Sequence, residues 1–144
     1  MKNKNKNKFF KDKGNRVPMD KGTIEEFLYM IPTEVTVRDL EKALTSVPED
    51  KKEIWVELDM MEVILSNDSL VFENMMDTFD AETDQTFLTD KAIKNVYAFN
   101  YNTKDKEAVE SILKVLHNAF GGFVASDTED FEPMYEVSEF FAFK

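Results

Sequence analysis

The sequence predicts an α+β domain: a small, mainly antiparallel or mixed sheet of about four strands, with helices packed on one face. Three observations lead there. Residues 95–126 read as strand, amphipathic helix and strand in succession. Residues 37–47 carry apolar side chains at helical spacing. The 144-residue chain is 42% hydrophobic and contains 13 Phe, 4 Tyr and 1 Trp, a length that suits one domain and an aromatic content that builds a core rather than a disordered chain.

The first segment, MKNKNKNKFFKDKGNR, alternates Lys with Asn. Like charges repel and Asn contributes nothing to a core, so residues 1–22 are expected to be a basic, low-complexity, disordered arm ahead of an acidic domain over residues 23–144. Thr23-x-x-Glu26 has the spacing of a capping box and predicts a short helix through Phe27, Leu28 and Ile31, ended by Pro32. Thr36-x-x-Asp39 is a similar cap, and Val37, Leu40, Leu44 and Val47 mark one face of a second helix, closed by Pro48.

EIWVEL, residues 53–58, is β-branched and aromatic, and Ile54, Val56 and Leu58 alternate as in a strand. A helical reading competes, because Ile54, Leu58, Met61 and Leu65 also form a helical stripe behind a cap at Ser46-Val-Pro-Glu49. Phe72, Met75, Met76 and Phe79 then predict a helix with a Met-rich core face. Residues 80–91 read as a polar loop with Phe87 and Leu88 turned inward. NVYAFNY, 95–101, is apolar on both faces, as a central strand requires.

Asn102-x-x-Asp105 opens a helix with a buried stripe of Val109, Ile112, Leu113, Leu116 and Phe120, and Gly121-Gly122 supplies a left-handed stop. FVAS forms the next strand; were it a parallel neighbour of 95–101, the crossover would be right-handed. The alternation of Val137, Glu139, Phe141 and Phe143 predicts a terminal strand.

Charge separates the arm from the body. Residues 1–21 hold eight Lys/Arg and two Asp, a net +6; residues 22–144 hold ten Lys/Arg and 27 Asp/Glu, a net −17. Such a body repels phosphate backbones and attracts cationic surfaces, which argues against nucleic-acid binding by the body and for a basic protein partner. No run approaches 18 apolar residues, so no membrane span is expected, and the N-terminus lacks the apolar region of a signal peptide. A cytoplasmic location follows as the expectation. Cys is absent, which removes disulfides, thiolate nucleophiles and Cys-ligated zinc.

The densest acidic stretch is Asp127, Glu129, Asp130 and Glu132, with Phe131 among them. An EF-hand loop needs Gly at its sixth position, and Glu132 stands there when counting from Asp127. A looser Ca²⁺ or Mg²⁺ site is the alternative use of these carboxylates, in a metal-dependent binding protein or enzyme. Docking is the preferred use: carboxylates steer a basic partner and Phe131 anchors it, whereas in a purely structural loop Phe131 plugs the core. Trp55 stands among Glu53, Glu57 and Asp59; on a solvent-facing strand Trp55, Glu57 and Asp59 share one face and suit a cationic partner. His117 is the only histidine, at the edge of its helix's apolar stripe, and no GxSxG, GxGxxG or GxxxxGK[ST] occurs.

The sequence therefore reads as a non-enzymatic protein-binding module with no catalytic residues, cofactor or metal. In a bacterial cytoplasm its concrete form is an immunity or antitoxin protein that occludes a cationic toxin, or an inhibitor that mimics nucleic acid. It is expected to be a monomer, or a weak homodimer paired through the aromatic C-terminal strand.

Overall fold

The computed structural model describes residues 22–143. The arm expected over residues 1–22 lies outside that range except for Gly22. The described chain is α+β, with seven strands in one sheet: β1 (Ile24–Ile31), β2 (Lys52–Trp55), β3 (Met60–Ile64), β4 (Ser69–Asn74), β5 (Asn95–Asn102), β6 (Phe123–Ala125) and β7 (Met134–Tyr135). Their order across the sheet is β2-β3-β4-β5-β1-β6-β7, and every neighbouring pair is antiparallel. The helices are α1 (Val37–Ala43), α2 (Glu82–Asp90), α3 (Lys106–Phe120) and α4 (Val137–Phe143), with short 3₁₀ turns between elements.

β5 is the central strand that its sequence predicts, with all eight residues buried. The stretch expected to be a helix at 23–31 is instead β1, the partner of β5 on one side and β6 on the other. Its run Leu28-Tyr29-Met30-Ile31 is buried on both faces. A contiguous apolar run of that length fits a central strand and a buried helix equally, and pairing on both edges decides for the strand. β5 and β6 flank α3 in sequence as expected, but they are not neighbours, because β1 lies between them.

Further expectations change. The helix predicted from Phe72 to Phe79 is β4 followed by a 3₁₀ turn: Leu70 and Phe72 are buried while Ser69, Val71 and Glu73 alternate with them, a period of two. The strand expected at 53–58 forms over Lys52–Trp55 and the competing helix does not, but the strand stops short of Val56 and Leu58. Residues 52–64 form the hairpin β2–β3, joined through a 3₁₀ turn at Val56–Leu58 and a left-handed Asp59. The polar stretch 80–91 contains α2, whose N-cap Ala81 supplies no side-chain cap and therefore no sequence signal. Its Leu88 is buried and Phe87 half-buried, turned inward as predicted.

The terminal stretch begins as the two-residue β7 and continues as α4. Val137, Phe140 and Phe141 are buried at helical spacing, so the long aromatic edge strand proposed to pair two copies is not formed. α1 starts where Thr36 predicts, with the Asp39 carboxylate accepting from the Thr36 N–H at 2.9 Å. It ends at Ala43 rather than Val47, where the Lys52 ammonium donates to the carbonyls of Glu41 (3.4 Å) and Leu44 (3.0 Å). A cation there satisfies exposed carbonyls and the negative end of the helix dipole.

Side chains alternate across the sheet and build two cores. On the first face Tyr29, Phe72, Tyr97 and Phe99 pack with Leu40 of α1, Leu113 of α3 and Phe140 of α4. On the second face Leu28, Met30, Val96, Ala98 and Ala125 lie with Phe79, Leu88 of α2 and Phe131. Helices therefore occupy both faces rather than one, with three on the first. Among the described residues the second-face core takes no side chain from β2, β3 or β4.

Candidate functional site

The cross-strand register assembles an acidic row on the second face. Glu53 of β2 stands opposite Glu62 of β3, Glu62 opposite Val71, Val71 opposite Asn100, and Asn100 opposite Glu26 of β1. The adjacent row runs Trp55, Met60, Glu73 and Ala98. Two strands pleated in register put directly opposed Cβ atoms about 5 Å apart, and like charges placed so are destabilising by a few tenths to about 1 kcal/mol. Glu53 and Glu62 form such a pair. Glu62 also accepts a hydrogen bond from the Ser69 hydroxyl.

From Lys52 to Asn74 the chain holds Glu53, Glu57, Asp59, Glu62, Asp68 and Glu73 against one cation, Lys52. Alternation turns Lys52 to the first face. There its side chain is 3% exposed and its ammonium meets the carboxylates of Glu41 at 3.1 Å and Glu49 at 3.4 Å. The single cation of these three strands is thus directed away from the acidic rows. At the hairpin end Val56 and Leu58 are 49% and 62% exposed, and Ile64 on β3 is 44% exposed. These three are large apolar side chains left in water beside Glu57 and Glu62.

The residues singled out from the sequence separate in space. Trp55 is half-buried on the second face with Glu53, and Glu57 is exposed on the 3₁₀ turn. Asp59 does not share their face, because the turn breaks the strand's alternation. Its backbone is left-handed (φ 49°), and its carboxylate accepts from the Val37 N–H at 2.9 Å, Asn74 Nδ2 at 2.7 Å and the Tyr97 hydroxyl at 2.9 Å. Asp59 is a tie between the start of α1, β4 and β5. Burial first, and then the hydrogen bond to the Asp59 carboxylate, pushes the Tyr97 phenol far above its usual range.

The 126–133 loop is likewise held by its own contacts. Phe131 is 1% exposed, edge-on to Phe79 at 5.4 Å and stacked on Phe87 at 4.6 Å. It is the core plug and not the surface anchor of the docking expectation; a Phe ring gains more from burial between two rings than from water. Asp130 Oδ1 accepts from the Glu132 N–H at 3.1 Å and the Thr128 hydroxyl at 3.2 Å, while the Ser126 hydroxyl donates to the Pro133 carbonyl at 2.8 Å. Glu129 and Glu132 are exposed and Asp127 is half-buried. The loop's four carboxylates do not converge: among the described residues no three Asp, Glu, His or Cys side chains group as a metal ion's ligands.

A second polar tie escaped the sequence reading. Asp105 is 5% exposed and accepts from the N–H groups of Asn67 and Asp68 and from Asn67 Nδ2 at 2.8 Å. It holds the β3–β4 turn to the start of α3. Its sequence signal was present, but as a helix cap: Asn102 supplies the cap, accepting from the Lys104 N–H at 2.8 Å.

No family model, curated protein or solved structure matches this chain. Among the described residues no helix is long and apolar enough to cross a membrane.

Proposed function

We propose that this chain is a non-enzymatic protein-binding module that engages a basic partner, in the manner of an immunity or antitoxin protein, and that it works in the cytoplasm as a monomer. The observation that carries this reading is the sheet face at β2–β3–β4. Glu53, Glu62 and Glu73 lie there in adjacent rows with Trp55, and the exposed apolar Val56 and Leu58 stand at its rim beside Glu57. A fold selected for stability alone gains nothing from opposing Glu53 to Glu62. A surface that steers and seats a cationic protein gains on-rate from the field of these carboxylates and anchoring from the apolar side chains.

The Asp127–Glu132 loop serves this reading through Glu129 and Glu132, which add to the field; Phe131 supports the loop from within. The field also argues against nucleic-acid ligands.

The test is capture by the immobilised full chain from lysate of the source cell at low salt, beside a Glu53→Lys/Glu62→Lys variant, with elution in a salt gradient. The expected result is a basic protein held by the unsubstituted chain, released as salt rises and lost on the variant. A captured set that is not basic, or one that the variant retains equally, overturns the proposal.

A further inference from the structure

The two faces of β2, β3 and β4 are covered unequally. On the first face Met61, Val63, Leu70 and Phe72 are 0% exposed. On the second face alternation places Trp55, Met60 and Val71 among Glu53 and Glu62, and the three apolar side chains are only half-buried. Over β1, β5 and β6 the second face is closed by Phe79, Leu88 of α2 and Phe131, and among the described residues that layer does not extend over β2, β3 or β4.

The open half has the dimensions of one helix. From β2 to β4 is two strand spacings, about 10 Å, and the five residues of β3 span about 17 Å. A helix with its side chains is about 10–12 Å across, and about eleven residues of it cover 17 Å. Domains close a sheet face with a packed layer, and α2 already supplies a helix to the other half.

The chemistry of the surface selects the occupant. Among the described residues no cation pairs with Glu53, Glu57 or Glu62, and Lys52 is engaged by Glu41 and Glu49 on the first face. A helix that fits therefore has an apolar stripe for Trp55, Met60 and Val71 and flanking Lys or Arg for the carboxylates. A second copy of this chain fits poorly, because two bodies of net −17 repel each other. Addition of a strand at the β2 edge fits poorly too: β2 has four residues and its Lys52 points inward, and both features discourage pairing at an edge.

We propose that β2, β3 and β4 seat one basic amphipathic helix of a partner protein on the second face, with its apolar stripe on Trp55, Met60 and Val71 and its cations on Glu53 and Glu62. This rests on the partner reading above and names the element by which the basic partner binds.

The probe is a synthetic 14-residue peptide of Leu, Ala and Lys, with Leu at spacings of three and four. A second peptide has the same composition with Leu at alternate positions. Each is titrated at low salt into the full chain, whose single Trp is Trp55, and amide signals of the isotope-labelled chain are followed in parallel. The helical peptide shifts Trp55 emission to the blue, gains helical circular dichroism, and displaces the amide signals of Glu53, Glu62 and Val71 while those of α1 and α3 stay in place. The alternating peptide binds at least about tenfold more weakly, because it offers no continuous stripe to the anchors. Glu53→Gln/Glu62→Gln weakens the helical peptide by at least about tenfold. Should that variant unfold, a helical peptide with Gln in place of Lys leaves the protein unaltered and shows the same loss.

Equal affinity for the two peptides, an unmoved Trp55, amide displacements confined to β2 or lying elsewhere, or binding indifferent to these substitutions overturns the proposal. So does sedimentation of the free chain as a dimer that Glu53→Gln/Glu62→Gln dissolves, since a second copy then holds the face. If the helix fails these tests while lysate capture yields a basic protein that the Glu53→Lys/Glu62→Lys variant loses, the helix alone is refuted and the partner reading stands.

Discussion

Asp59 offers the sharpest test of how this fold is held, because the same residue reads from sequence as surface and in the structure as a tie. Replacing it with Ala removes the acceptor for three donors at 2.7–2.9 Å. Two of them, the Tyr97 hydroxyl and the Val37 N–H, belong to residues that are 0% and 1% exposed, so water does not take over. A buried donor left unmade costs about 1–3 kcal/mol. Asn74 is half-buried and Nδ2 retains Asn95 Oδ1 at 3.3 Å, so its loss adds little.

The left-handed backbone at φ 49° also disfavours Ala relative to Asp or Asn. The expected loss for Asp59→Ala is about 3–5 kcal/mol. Against a typical total of 5–15 kcal/mol that is a large share. Asp59→Asn keeps the shape, one acceptor oxygen and the tolerance of left-handed backbone, and is expected to lose about 1–2 kcal/mol.

Urea unfolding followed by circular dichroism and by the emission of Trp55 reads both values from the midpoint at constant slope. Tyr97→Phe supplies the check on mechanism: combined with Asp59→Ala it should cost less than the sum of the two by about 1 kcal/mol, as partners in one network do. An Asp59→Ala loss below about 0.5 kcal/mol, the range of ordinary surface substitutions, would refute the reasoning and return Asp59 to the surface role expected from sequence.

Three other outcomes follow from the same structure. Phe131→Ala should cost about 3–5 kcal/mol in thermal or urea unfolding, because the ring fills the space between Phe79 and Phe87; a change within 1 kcal/mol would mean the ring is dispensable to the core. Gly122→Ala should destabilise by several kcal/mol, since its φ is +103° and the new Cβ would stand 2.2 Å from the Met30 carbonyl oxygen; a soluble, equally stable variant would contradict the close approach of the α3 exit to β1. Stability should fall as pH rises above about 10, the ordinary tyrosine value. Burial lifts the Tyr29 and Tyr97 phenols well above it, and burial followed by the Glu25 charge pushes Tyr101 up to about 12. The folded state therefore holds protons that the unfolded chain releases, so the contribution is complete below pH 10 and lost above it. Phenolate absorbance rising ahead of unfolding would count against this.

Sequence and structure divide the information along a physical line. Where the pattern reports a local constraint, it was legible. β5 has eight buried residues because its run is apolar on both sides, α3 shows its stripe at Val109, Ile112, Leu113 and Leu116, and Gly121-Gly122 ends that helix with positive φ. The Thr36–Asp39 cap is likewise a contact within four residues. The separation of a +6 arm from a −17 body needs only counting.

What remained ambiguous were short apolar runs whose period fits two structures. Residues 24–31 and 69–74 became strands because ladders on both edges satisfy their backbone groups, and 137–143 became a helix because Phe140 and Phe141 meet the first-face core. For residues 24–31 the deciding partners stand 64 to 97 residues away, beyond any window of sequence, and for 69–74 the β5 edge lies 23 to 29 residues on. The candidate site divides the same way: its acidity is written in the chain, but the placing of Glu53 against Glu62, the turning of Lys52 to the far face, and the withdrawal of Asp59 and Phe131 into polar and aromatic contacts were decided by strand register and packing alone.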